Sequence, residues 1–404
     1  MPLLRTLIGF GLAAAAVGST PLLRMPVQAS LTATPFSSTL GDGRSSEPNE
    51  DRSSDSLLVV SAKEHALVMQ DPITGDRTAF FRVGLSPDSV AVTEDGRTAV
   101  VTNRGDQLSG NSICIVDLHA TNLVRTIPLE VTRQNLDQSV YKRSYHRPSG
   151  IDFIAGKKRV VVSCATEGAL LLVDLNEARV IGDCLLEADD SSAVIVDHSG
   201  KFALVANRGS GTVSIVKLDR MHLVKTIEAG GGPSGMALHP VRNEVWLANT
   251  ETNSISIIDI DEQQESIEFA CGALPSDIAF TPDGKYAMVV NMQEGNISVF
   301  ETESRRIRTL IDLEPVSREQ AKARPVHISG HFGRSPLPTR ILIGPDGERA
   351  YVSTRRSDQL HEIDLSTWAV IRTLNTAVEP TDLSWSRVAS DIETETSSAS
   401  RRER

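Results

Sequence analysis

The residues best suited to chemistry are histidines and arginines gathered in two stretches of the chain, 129–147 and 314–340. The first holds His146 and Arg147, and the second holds His327, His331, Arg334 and Arg340. "HISGH" (His327 to His331) has the i, i+4 spacing that sets two imidazoles on one helix face for a metal ion. Pro325 before it and Gly330 inside it oppose such a helix, and a metal centre also needs a third ligand and supporting contacts. These read as loop histidines, with no metal expected. The arginines offer charge pairing instead. In the first stretch Arg133, Lys142, Arg143 and Arg147 stand against Glu130 and Asp137, a net +2. In the second, Arg318, Lys322, Arg324, Arg334 and Arg340 stand against Glu314 and Glu319, a net +3. A local basic excess on an acidic chain suits an anionic ligand or an acidic partner protein.

Other chemistry finds less support. Asn103, Asn207, Asn249 and Asn291 recur at equivalent places and carry oxygens that calcium accepts. An amide bonding the backbone of the following turn explains the recurrence better. No G-x-S-x-G elbow, HExxH, Walker loop or dinucleotide glycine pattern occurs, so no catalytic residue is assigned. Cys114, Cys164, Cys184 and Cys271 form no C-x-x-C or C-x-x-C-H pattern, and each falls on or beside an apolar run where a buried free thiol is expected. No cofactor is expected.

The elements that position these residues follow from repetition. "PSDIAFTPDGKYAMVVN" (Pro275 to Asn291) has near copies beginning at Pro87, Pro233 and Pro338 and weaker ones at Pro148 and Ser191. The starts 87, 148, 191, 233, 275 and 338 are spaced by 61, 43, 42, 42 and 63 residues, so two units carry an insertion of about twenty. Each unit reads as four short alternating runs, which means four antiparallel strands. "PDG" makes the tight turn between the first two. "EPTDLSWS" (Glu379 to Ser386) supplies a first strand with nothing behind it, and residues 56–84 supply the three strands with no first. Together they complete a seventh unit. The fold class is therefore all-β: a seven-bladed β-propeller of four-stranded antiparallel blades over 56–386, closed by N- and C-terminal segments sharing one blade.

Residues 1–29 read as a signal peptide, with Arg5, an apolar run from Leu7 to Gly18 too short to span a bilayer, and a small-residue cleavage site at Val27 to Ala29. The polar segments 30–55 and 387–404 are expected to be a disordered linker and tail. The protein is thus expected in the periplasm or outside the cell, as a monomer with no stable membrane span after cleavage. A net charge of -11 argues against nucleic acid as the main partner.

The repeats resemble the YVTN family of bacterial β-propellers, whose units read P-x-x-[IV]-A-x-x-P-D-G-K-x-x-Y-V-x-N. "PDGKYAMVVN" and "PDGERAYVST" carry the likeness best, and it covers about residues 57 to 386. The resemblance implies an exported binding or surface module. Some members are linked to c-type cytochromes or peroxidase-like domains, and "YKRSYHRPSGIDF" (Tyr141 to Phe153) is similar to the His-Pro lead-in of the peroxidase-linked group. This chain has no haem motif of its own, so a redox role would need a haem protein as partner.

The expected function is a non-catalytic binding or scaffold module acting through the loop face that carries both insertions. His146, Arg147, His327, His331, Arg334 and Arg340 are the candidate contacts, with Arg104 and Arg208 on the rim. Two other classes stay open: an accessory to a c-type cytochrome or di-haem peroxidase, and a lactonase-like hydrolase, since that activity also uses seven blades.

Overall fold

A computed structural model of the chain describes residues 54–106, 111–135, 137–325 and 332–388. Seven four-stranded antiparallel sheets account for nearly all of them. In each, the strand that opens the repeat is innermost (strand A), and B, C and D follow outward in chain order. Blade 1 is the exception the sequence predicts: Ser54–Ser61, Ala66–Gln70 and Arg77–Arg82 form B, C and D, and Pro380–Val388 returns as A. Blades 2 to 7 occupy 87–128, 148–185, 191–228, 233–270, 275–312 and 338–375.

Closure in blade 1 runs further than expected. Ser54 and Asp55 pair with Val388 and Arg387, although the polar composition on either side of 56–386 reads as linker and tail. Antiparallel pairing satisfies backbone groups whatever the side chains, and the Arg387–Asp55 ion pair at 3.3 Å adds to it. The rest of the expected signal peptide, linker and tail lies outside the described residues.

Strands B and C are buried on both faces because each blade packs between two others. Strand B of blade 4, Phe202–Asn207, is buried from Ala203 onward, and the same five positions are buried in blades 2, 3, 5, 6 and 7. Seven apolar clusters result, one between each pair of neighbouring blades around the ring. Trp246, fully buried between blades 5 and 6, meets Phe269 and Phe280 edge-on with ring centroids 5.4 and 5.3 Å apart. Each such large side chain contributes about 2–3 kcal/mol of burial.

The recurring asparagines hold the loop-bearing end of four blades, 2, 4, 5 and 6. Asn103 accepts from the Gly84 N–H at 2.8 Å and donates to the Ser112 hydroxyl at 3.1 Å. Asn207, Asn249 and Asn291 donate likewise to two side chains of strand C, the second being Ser214, Ser256 and Ser298 at 2.8 Å. Their side-chain partners lie in strand C, in the preceding loop and, for Asn207, at Ser191 of strand A, not in the turn after strand B. A Cβ at Gly84 would stand 2.4 Å from Asn103 Cγ, so glycine lets the amide approach. Each amide donates inside its own blade, while the buried side-chain oxygens of Asn249 and Asn291 have no partner among the described residues.

The two insertions part company. The first forms a β-hairpin, Glu130–Gln134 with Val140–Ser144, that packs on strand D of blade 3. Arg133 and the Tyr145 hydroxyl both bind Asp183 of that strand. Most of this insertion therefore lies on the outer flank rather than on the channel face where its position in the repeat predicts it. The described part of the second insertion, 314–325 and 332–340, does stay at the channel face. Ser317 caps a short helix, Arg318–Ala323, in a reciprocal capping box with Gln320. Arg324 then bridges both oxygens of Asp358, and buried Arg356 holds the carbonyls of Arg324, Gly333 and Ser335.

Candidate functional site: the channel mouth

In every blade the residue after the strand-opening position carries an oxygen: Asp88, Ser149, Ser192, Ser234, Ser276, Thr339 and Thr381. The seven line one cavity of about 330 Å3 at the channel mouth. Several of these side chains tie one blade to the next. Ser149 donates to Asp88 at 2.7 Å, Ser276 to the Thr339 carbonyl at 3.2 Å and Thr381 to the Pro87 carbonyl at 3.2 Å. Their donors are spent on neighbours, leaving oxygen lone pairs for hydrogen-bond donors on a ligand.

One residue further on, aspartates reach across the same seams. Asp277 accepts the Ile341 N–H of blade 7 at 3.0 Å, and Asp382 accepts the Val90 N–H of blade 2 at 2.9 Å and the Ser89 hydroxyl at 2.5 Å. Deeper in strand A of blade 3, Asp152 accepts the Val196 N–H of blade 4 at 2.7 Å. Burial pushes Asp152 up to about 6, against the pull of its two backbone N–H donors. Asp277 is also pushed up to about 6, first by burial and further by Asp382, while Arg340 and its own N–H donors oppose the rise.

Arg340 lies between the two, 3.6 Å from Asp277 and 3.4 Å from Asp382, and its Nε–H donates to the Thr381 carbonyl at 3.0 Å. Burial works against its charge, but Asp382, Asp277 and Asp88 outweigh it and raise its pKa. Arg104 lies 3.7 Å from Asp88, and Arg355 lies 3.7 Å from Glu379 just outside the cavity. Arg208, half-buried on the rim, is the exception: among the described residues it has no carboxylate partner.

The other candidates stand further out. His146 is held by Glu167, which accepts from the ring Nδ1 side at 2.6 Å and from the His146 backbone N–H at 2.7 Å. Arg147 adopts φ 52°, takes the Asn111 oxygen on its backbone N–H at 2.8 Å, and approaches Asp190 at 3.8 Å. Arg334 fastens its own insertion by donating to the Val316 carbonyl at 2.6 Å. His327 and His331 lie outside the described residues.

The structure thus brings Arg104, Arg208 and Arg340 into one cavity, leaves Arg147 one contact away through Asp190, binds His146 to Glu167 outside the cavity lining, and gives Arg334 to the loop. The expected basic excess is absent from the mouth itself. Arg104, Arg208, Arg340 and Arg355 face Asp88, Asp190, Asp277 and Asp382, four charges of each sign. The reason is that the cations of the first insertion went to the flank, while strand A supplied acids from within the repeats. Sequence reasoning passed over those acids, although Asp88, Asp277 and Asp382 follow strand-opening positions that aligned repeats make visible, and Asp190 directly precedes one. Among the described residues, no histidine or cysteine lines the cavity and no three His, Cys, Asp or Glu side chains gather to hold a metal.

A seven-bladed propeller with a polar, charge-balanced channel mouth is the class of protein that fold and site define. A family model described as "Lactonase, 7-bladed beta-propeller" matches residues 158–270, from strand B of blade 3 to the end of blade 5. Among solved structures, a functionally unknown protein from Desulfotomaculum acetoxidans DSM 771 is similar at 14% identity and a TM-score of 0.62, covering 81% of this chain and 99% of that one. Hydrazine synthase from Kuenenia stuttgartiensis is similar at 16% identity and a TM-score of 0.58, covering 73% and 88%. At such identities the likeness concerns the fold alone. No curated protein matches.

Proposed function

We propose that this is an exported, YVTN-type binding module whose channel mouth holds a small polar ligand bearing a carboxylate, or the acidic side chain of a partner protein. The observation that carries the reading is Arg208. Three of the four arginines at the mouth already face carboxylates, and a half-buried guanidinium without one is placed to receive an anion. The ring of hydroxyls, together with Asp88 and Asp190, would accept hydrogen bonds from the ligand's own donors. A volume of about 330 Å3 suits a small molecule.

A thermal-shift screen of sugar acids and hydroxycarboxylates beside their uncharged analogues tests this. A carboxylate that stabilises the native protein and loses its effect in Arg208→Ala supports the reading. Equal shifts in both proteins, or none with any carboxylate, removes it.

A second reading, a lactonase-like hydrolase, is favoured by the family match over 158–270 and by Asp277. A carboxylate at about 6 is suited to serve as a general base for water, and Arg340 beside it could steady a developing oxyanion. Turnover of a lactone panel by the native protein, abolished in Asp277→Asn with the fold intact, would replace binding by catalysis. Absence of turnover leaves the binding module.

A further inference from the structure

A groove of about 1300 Å3, larger than the channel mouth, runs along the outer flank of blade 3. Strand D of that blade, Arg179–Leu185, contributes Arg179 through Asp183 to it. The first strand of the hairpin forms one wall, and the Lys201 and Lys217–Met221 turns of blade 4 form the other. Strand D is the last in its sheet and pairs only with strand C, while the hairpin strands pair with each other. One row of its backbone donors and acceptors is therefore open to strand addition.

Seven Lys and Arg side chains line this groove against three Asp and Glu, on a chain whose net charge is -11. Four of the seven are paired: Arg133 with Asp183, Arg159 with Asp174, Arg179 with Glu177 and Lys217 with Asp219. Lys157, Lys201 and Arg220 have no carboxylate partner among the described residues. Val131, Leu172, Ile181 and Met221 lie between the charges.

We propose that this groove docks an extended acidic peptide of a partner protein. The peptide backbone bonds the open edge of strand D on one side of the bulge at Ile181, and its alternate carboxylates meet Lys157, Lys201 and Arg220. A strand alternates its side chains, so acids on one face and apolar residues on the other fit both kinds of lining. A polyphosphate would meet the cations and leave the strand edge and the apolar residues unmatched. The groove is separate from the channel mouth, and Arg208 takes no part in it.

The test titrates the full chain into a fluorescein-labelled peptide of alternating Glu and Val, ten residues long, read by anisotropy. A Lys-Val peptide and a linear polyphosphate serve as comparisons. Lys157→Glu, Lys201→Glu and Arg220→Glu are combined in one variant; all three side chains are exposed, so its melting temperature should match the native. Affinity for the Glu-Val peptide should fall at least about tenfold in that variant and weaken with salt. It should also fall when alternate peptide amides are N-methylated, and stay unchanged in Arg208→Ala. Equal binding by native and triple-variant proteins, no binding at millimolar protein, or binding of polyphosphate alone would overturn the proposal. Equal binding of the N-methylated peptide would overturn strand addition.

Discussion

Asp277 and Asp283 lie six residues apart in blade 6, at opposite ends of its innermost strand, and the protein uses them in opposite ways. Asp277 faces the channel and belongs to three blades at once. It accepts a backbone N–H of blade 7, stands 3.6 Å from Arg340, and shares that arginine with Asp382 of blade 1. Asp283, in the "PDG" turn, serves only its own hairpin, accepting the Thr281 hydroxyl at 2.7 Å and the Lys285 N–H at 3.1 Å. Its pKa is drawn down to about 2, first by hydrogen bonding from the Lys285 side chain, then by Thr281 and the Lys285 N–H. The turn aspartate is satisfied locally. The channel aspartate is satisfied by neighbours, so the mouth is where blades are joined and where a ligand would be read.

Removing Arg340 should break this contrast most severely. Arg340→Ala leaves Asp277 and Asp382 facing each other at a buried seam, and the expected cost is about 3 kcal/mol in urea denaturation. Arg340→Lys should recover part of it, because the charge returns without the planar fork. A loss under about 0.5 kcal/mol, the size of an ordinary surface change, would show that the seam does not depend on the arginine.

Acidity sharpens the comparison, because the two kinds of aspartate have opposite signs. Asp277 and Asp152 sit at about 6 when folded, so between roughly pH 4 and pH 6 the folded protein holds protons that the unfolded chain has released. Their contribution is fully present at the acid end and is lost as pH rises through 6. Asp277→Asn and Asp152→Asn should flatten that part of a stability-against-pH curve. Asp283 acts the other way: its contribution is present above the usual carboxylate range and is lost as pH falls through about 2. Asp283→Ala, on an exposed turn, should cost only about 1 kcal/mol at neutral pH, and the two curves should converge only at the acid end.

Much of the architecture was legible because one physical unit is written seven times. A strand-opening proline in six units, the strand-B asparagine in four and the "PDG" turn in two set the register of the copies, and Glu379 to Ser386 completed blade 1 from the far end of the chain. The site was less legible. Basic insertions drew attention, yet Arg133 and Tyr145 of the first insertion turn outward to Asp183, a contact no local pattern encodes. Asp88, Asp277 and Asp382 were hidden in plain view, since an aspartate beginning a strand reads as a boundary residue until the ring brings the strand ends together. Charge balance at the mouth depends on which loops face inward, and that follows only from tertiary packing.

The most direct measurement is isothermal titration calorimetry of the strongest carboxylate from the screen with native protein, Arg208→Lys and Arg208→Ala. Affinity should fall about tenfold or more in Arg208→Ala and less in Arg208→Lys, with all three melting at the same temperature. Undiminished affinity in Arg208→Ala would contradict the proposed carboxylate site.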